Sequence, residues 1–213
     1  MIIKVCGLRD PLNIKQVTEI QGVNLIGLIF YAPSARYVDS EETAAMVSSL
    51  KNKDVVGVFV DETPDEVVRK CVQYQLDYIQ LHGNETPEYL ISLQKRVPST
   101  VKFIKAFSIR AEKDLLPASG YEGLCEYFLF DTPTSGYGGS GRTFDWQVLQ
   151  YYSGSTPFLL SGGIGPDSVD SLSDFHHRLW AGIDLNSRFE IAPGLKNIDL
   201  LKNFVQQISS ILP

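Results

Sequence analysis

The chain has 213 residues, of which 44% are hydrophobic and 21% charged, and it carries a formal net charge of −6. Such a length fits one domain with a large single core over residues 1–213, or two small ones, and the composition is that of an ordinary soluble globular protein. The acidic balance argues against general nucleic-acid binding, which needs a basic face to release counterions. It leaves room for an anionic small substrate in a pocket whose local field opposes the overall sign.

Short apolar runs rich in β-branched and aromatic residues alternate with segments that open on helix-start signals. IIKVCG from Ile2 reads as the first strand, and Asp10-Pro11 begins a helix with Leu12, Ile14 and Val17 behind it. NLIGLIF from Asn24 is followed by Ser40 as an N-cap, with Glu41 and Glu42 in the first turn. DVVGVFVD from Asp54 leads to Thr63-Pro64-Asp65-Glu66, and YIQLHG from Tyr78 leads to Thr86-Pro87-Glu88. Both place Ser/Thr, proline and acids where a helix N-terminus prefers them. The runs KFIKAFS from Lys102, EYFLFD from Glu126, PFLLSGG from Pro157 and AGIDLN from Ala181 complete the set. A last helix is expected from near Asn197 through Leu200, Leu201, Phe204 and Ile208.

Near-continuous apolarity, rather than strict alternation, is what strands buried on both faces require. Strand followed by helix, eight times at a spacing of roughly two dozen residues, predicts a (β/α)₈ barrel. A flavodoxin-like or Rossmann sheet is the competing architecture, but it needs only five or six strands. The cysteines Cys6, Cys71 and Cys125 are odd in number and lack metal spacing, which fits a reducing cytoplasm better than a disulfide framework. MIIKVCGLRD reaches charged residues at once and does not read as a signal peptide. No run approaches the ~18 to 20 apolar residues of a membrane span.

In such barrels the site lies at the C-terminal ends of the strands. Those ends carry Cys6, the loop to Arg36, Asp61, His82, Ser108, Asp131, the Ser161-Gly162-Gly163 turn and Asp184. Each has two readings. Cys6 could pack as a small apolar residue or, with Lys4 and Arg9 close in sequence, form a thiolate. Asp131 could cap a turn or carry a proton. His82 could be a hydrogen-bonding residue or a proton carrier. Asp184 could orient a neighbour, and Arg36 could recognise an anion or pair at the surface.

The loops after strands seven and eight form the recurrent phosphate site of this fold. Here they supply Ser161, Gly162 and Gly163, and then Asn186, Ser187 and Arg188. The letters GYGGSG from Gly136 to Gly141 satisfy G-x-G-x-x-G, but four residues separate them from the strand end and no acid closes the next strand. That excludes a dinucleotide fingerprint. The segment reads instead as an active-site lid on Gly138, Gly139 and Gly141, because the expected helix FDWQVLQYY must pack back onto the same barrel.

The blocks KVCGLRD, GLIFYAPSARYV, VGVFVDET, IQLHGNE, FDTPTSGYGGSGRTFDW, LLSGGIGPDSV and AGIDLNSRFEIAPG, in that order and each at an expected strand end, resemble the phosphoribosylanthranilate isomerase family. The resemblance runs over essentially the whole chain. It implies an Amadori rearrangement in tryptophan biosynthesis, on a small phosphorylated substrate, with no cofactor and no metal, by a monomer or homodimer. It implies Cys6 as general base and Asp131 as general acid, with Arg36 holding the anthranilate carboxylate and His82 and Asp184 at the rim. A protonated acid calls for a raised Asp131 pKa once a lid excludes water, and a thiolate calls for a lowered Cys6 pKa. Three positions depart from the family pattern: Ala35 replaces a usual proline, Ser140 a usual threonine and Arg188 a usual glycine. Other phosphate-binding barrels fit less well. The histidine-pathway isomerase has a carboxylate where Cys6 stands, and indole-glycerol-phosphate synthase needs a lysine and a glutamate.

Overall fold

A computed structural model describes residues 1–50, 52–131 and 146–211. Eight parallel strands close into a barrel in sequence order: β1 (Ile2–Val5), β2 (Leu25–Ile29), β3 (Asp54–Phe59), β4 (Tyr78–Leu81), β5 (Lys102–Ser108), β6 (Tyr127–Asp131), β7 (Phe158–Ser161) and β8 (Trp180–Leu185). All eight expected strands are present. Closure comes from β1 pairing with β8, with Lys4 opposite Asp184.

Strand alternation divides the buried residues into two groups. Ile3, Val5, Ile79, Leu81, Phe128, Phe130, Phe158 and Leu160 point outward into the core beneath the helices. Leu25, Val56, Val58, Tyr78, Ile104, Leu129 and Leu159 fill the barrel interior, and Cys6 joins them at the top. With a side-chain period of two, the same inward face carries Lys4 below Cys6, Gln80 below His82, and Asp131 above Leu129.

The expected helix starts are where the sequence placed them. Asp10 accepts from Asn13 N at 2.8 Å ahead of α1 (Pro11–Thr18), and Ser40 accepts from Thr43 N at 3.3 Å ahead of α2 (Glu41–Ser48). Thr63 and Thr86 cap α3 (Pro64–Tyr74) and α4 (Pro87–Gln94) in the same way. A short 3₁₀ turn, Pro166–Ser168, runs into α5 (Val169–Asp174), and α6 (Ile198–Ile211) closes the described chain.

The regular strand–helix alternation is not kept throughout. After β5 the chain forms a 3₁₀ segment, Glu112–Tyr121, with Pro117 inside it. Proline lacks the N–H that an α-helix needs there and clashes with the preceding turn. After β6, the described part of the stretch expected as a helix forms a 3₁₀ turn, Trp146–Tyr151, which gives way to Ser153-Gly154-Ser155. After β8 a 3₁₀ turn, Ser187–Phe189, leads into an antiparallel hairpin of β9 (Glu190–Ala192) and β10 (Leu195–Lys196) before α6. Among the described residues no helix is long and apolar enough to cross a membrane.

Candidate active site

The C-terminal mouth of the barrel holds a cavity of about 320 Å³ lined by Cys6, Gln80, His82, Asp131, Ser161, Gly162, Gly163, Asp184, Asn186, Ser187 and Arg188, among others. It gathers ten of the eleven expected catalytic and binding residues; Arg36 stands beside it. Gly138, Gly139 and Gly141 lie outside the described residues. A larger groove of about 880 Å³ runs between the end of α1 and α6. It sits by the loop entering β2, at the opposite end of the strands from the cluster of titratable groups.

Cys6 is buried at the end of β1, its N–H donating to Leu185 O at 2.8 Å. A Cβ at Gly27 on the neighbouring strand would stand 2.8 Å from Cys6 Sγ, so glycine there makes room for the thiol. Beneath it Lys4 is completely buried and donates to Asp184 Oδ1 at 2.9 Å. Burial acts to lower the Lys4 pKa, but Asp184 and the Cys6 sulfur outweigh it and hold the ammonium above its usual value.

Burial pushes the Cys6 thiol up; Lys4 opposes this, Asp184 adds to it, and Lys196 opposes it more weakly. This corrects the expectation of a lowered value. Strand-end cysteines look activated by nearby cations in sequence, yet the depth that brings Lys4 close also removes water, and Asp184 neutralises much of that lysine.

Asp131, at the end of β6, faces His82 Nε2 across 3.7 Å. Burial pushes its carboxyl up, but His82, the Ser161 hydroxyl and Lys4 together hold it below its usual value. This direction is opposite to the raised value expected of a proton-donating acid. His82 Nδ1 stands 2.9 Å from Gln80 Nε2. With the amide donating, the imidazole proton lies on Nε2 and faces Asp131. Among the described residues Gln80 Oε1 is buried without a partner.

Arg36 is not solvent-facing and alone. Its Nε donates to Glu190 Oε1 at 2.8 Å and to Oε2 at 3.1 Å, and its Nη2 to Oε2 at 2.5 Å. A Cβ at Gly7 would stand 2.7 Å from Arg36 Cδ and 2.6 Å from Asn186 Oδ1, so this glycine lets both groups close over the end of β1. Lys196, also fully buried, donates to Asn186 Oδ1 and Glu190 Oε1, each at 2.8 Å. The Asn186 carboxamide oxygen is therefore turned to lysine rather than into the expected phosphate loop.

Gly162 and Gly163, at φ 95° and 67°, shape the turn after β7. Arg188 reaches the 3₁₀ turn Pro166–Ser168 that follows, its Nη2 donating to Asp167 Oδ2 at 3.0 Å.

Lys4, Gln80, Glu190 and Lys196 were not singled out as site residues from sequence. For Lys4 and Gln80 the signal was available: each is a polar residue in a buried strand, two positions before a rim residue.

The family model described as N-(5'phosphoribosyl)anthranilate (PRA) isomerase matches residues 3–207. The N-(5'-phosphoribosyl)anthranilate isomerase of Parabacteroides distasonis is 53% identical over 211 residues, covering 98% of this chain and 93% of the relative. That of Phocaeicola vulgatus is 48% identical over 208 residues, covering 98% of each. The crystal structure of phosphoribosyl anthranilate isomerase from Thermotoga maritima superimposes with a TM-score of 0.85 at 32% identity, covering 99% of this chain and 100% of that one. Another crystal structure of such an isomerase, in complex with reduced 1-(o-carboxyphenylamino)-1-deoxyribulose 5-phosphate, gives a TM-score of 0.83 at 29% identity over 99% of this chain and 100% of that one. With a closed eight-stranded barrel and matches along nearly its full length, the chain belongs to the N-(5'-phosphoribosyl)anthranilate isomerase family.

Proposed function

We propose that this isomerase of tryptophan biosynthesis rearranges N-(5'-phosphoribosyl)anthranilate between a base, Cys6, and an acid, Asp131, and that residues 1–213 act as one catalytic barrel in the cytoplasm, as a monomer or homodimer. The observation that carries the assignment is a shared cavity: Cys6 on β1 and Asp131 on β6, three strands apart around the barrel, line one space that ends at the Gly162-Gly163 turn. The phosphate sits at that turn and at the start of the segment after β8, which fixes the ribose between the two groups.

Asp131 in its acid form gives a proton to the furanose ring oxygen. The bond from C1′ to that oxygen breaks as the nitrogen lone pair forms a Schiff base. The Cys6 thiolate then takes the C2′ proton, and the C–H electrons form the C1′–C2′ double bond while neutralising the nitrogen. The resulting enolamine tautomerises to the ketone, with a proton delivered to C1′ and one released from the C2′ hydroxyl. Atoms and charge balance, and the product is 1-(o-carboxyphenylamino)-1-deoxyribulose 5-phosphate.

In the free protein the two pKa shifts favour the thiol and the carboxylate, the reverse of what the reaction needs. Substrate binding supplies the change at Asp131, where excluding water strengthens the burial effect already acting on it, while at Cys6 the thiolate is favoured by the Lys4 ammonium against burial. His82 supports the acid, Arg36 meets the anthranilate carboxylate, and Asp184 acts through Lys4. The test is loss of substrate fluorescence with the wild-type protein, Cys6→Ser, Asp131→Asn and the double variant. Activity in the wild type with each single variant reduced by at least about a hundredfold supports the assignment. Wild-type turnover indistinguishable from the double variant sinks it.

A further inference from the structure

The hairpin of β9 and β10 carries two charged groups with no role in the acid–base chemistry. Glu190 and Lys196 are register partners on its two strands, and both side chains are withdrawn from water, 6% and 0% exposed. A buried carboxylate needs partners, and Glu190 has three: the Arg36 guanidinium, the Lys196 ammonium and the Gly194 N–H at 3.1 Å. Burial pushes its carboxyl up, but Arg36 and Lys196 outweigh that and keep it ionised below the usual range. Lys196 has a single carboxylate to offset its own burial, and its ammonium falls below the usual value. Asn13 clamps the lysine from below, its Oδ1 accepting from Lys196 N at 2.7 Å and its Nδ2 donating to Lys196 O at 3.0 Å.

We propose that Glu190, backed by Lys196, is a positioning residue for substrate selection, pinning the inner edge of the Arg36 fork so that the remaining edge meets the substrate's aromatic carboxylate. Among the described residues the guanidinium bonds to protein acceptors only through Nε and Nη2. A planar fork held along one edge has its other edge fixed in direction, and the ordering cost is met before substrate arrives. Two cations around one carboxylate leave the cluster net positive, the sign an incoming carboxylate needs. The inference rests on the assignment of Arg36 to that carboxylate.

The test compares N-(5'-phosphoribosyl)anthranilate with the corresponding aniline glycosylamine, which lacks the carboxylate, as substrate or competitor. Glu190→Gln is expected to raise KM for the first about tenfold, with kcat within about threefold, and to change binding of the second by less than about twofold. Glu190→Asp keeps the charge but not the reach and is expected to behave like Glu190→Gln; should the latter not fold, the aspartate variant carries the test. Equal losses on both ligands, no loss, or tighter binding of the carboxylate substrate overturns the proposal. Arg36→Met separates the two assignments. If the wild-type preference for the carboxylate survives in that variant, Arg36 is not the carboxylate's partner and the proposed function is at fault there.

Discussion

Lys4 and Asp184 meet inside the barrel at 2.9 Å, with 0% and 7% of their side chains exposed, on the pair of strands that closes it. Breaking a buried pair leaves one charge uncompensated in a medium that solvates it poorly, at a cost of about 3 to 5 kcal/mol. Lys4→Met is expected to destabilise by that amount in denaturant unfolding. Adding Asp184→Asn should recover part of the loss, because the stranded carboxylate is gone. Strictly additive losses from the two substitutions would show that the pair is not coupled.

The same lysine gives the Cys6 thiol a specific titration. Burial outweighs the pull of Lys4, so alkylation of Cys6 by iodoacetamide in the substrate-free protein is expected to rise with pH only above the ordinary thiol value of about 8.5. Cys71 and Cys125 are also pushed up by burial, the latter to about 12, so modification must be followed at Cys6 by peptide mass. Lys4→Met removes the main lowering influence and should shift the profile to still higher pH. Half-maximal alkylation near neutrality would contradict the burial argument.

Sequence carried the barrel and most of the mouth for identifiable reasons. Strands buried on both faces are written as apolar runs, and Asp10, Ser40, Thr63 and Thr86 are local caps whose chemistry needs no tertiary partner. Cys6, His82 and Asp131 stand at strand ends, so counting strands located them. What escaped depends on contacts across the fold. Arg36 meets Glu190 154 positions away and Lys4 meets Asp184 180 positions away. The sign of the Cys6 shift was missed for the same reason, since charge proximity is visible in sequence and depth is not. Pro117 is a helix breaker by its chemistry, and the 3₁₀ segment that holds it departs from the alternation kept elsewhere.

Where the helical layer is interrupted, Glu122 ties the chain together. Its carboxylate accepts from Tyr152 Oη at 2.9 Å, from the N–H and Oγ of Ser155 at 3.1 and 2.6 Å, and from the N–H and Oγ1 of Thr156 at 3.0 and 2.8 Å. Glu122→Ala should cost about 2 to 3 kcal/mol, since hydrogen bonds to a charged acceptor are lost and donors are stranded. Burial acts to raise the Glu122 pKa, but these donors hold it below the usual value. Its stabilisation is therefore fully present above the unfolded-chain value of about 4.3 and fades as pH falls through the lower folded value. A urea series from pH 6 to pH 3 should show a shallower acid loss in Glu122→Gln than in wild type; parallel curves would remove Glu122 as a source of that loss.

Arg188, at a position where the resemblance leads to the expectation of glycine, tests whether backbone or side chain binds the phosphate. It is half exposed and pairs with an Asp167 that is more exposed still, a setting in which ion pairs contribute about 0 to 1 kcal/mol. Arg188→Gly is therefore expected to shift stability by less than about 1 kcal/mol. If the turn at Gly162 and Gly163 is the main phosphate cradle, inorganic phosphate should still inhibit Arg188→Gly competitively, with its inhibition constant raised about threefold at low salt and converging on wild type as salt screens the exposed charge. Gly163→Ala should weaken phosphate far more, because φ of 67° is a backbone conformation that alanine adopts only with strain. The contrast decides the matter: if Arg188→Gly abolishes phosphate inhibition while Gly163→Ala leaves it intact, the guanidinium holds the phosphate and the glycine turn serves only to end β7.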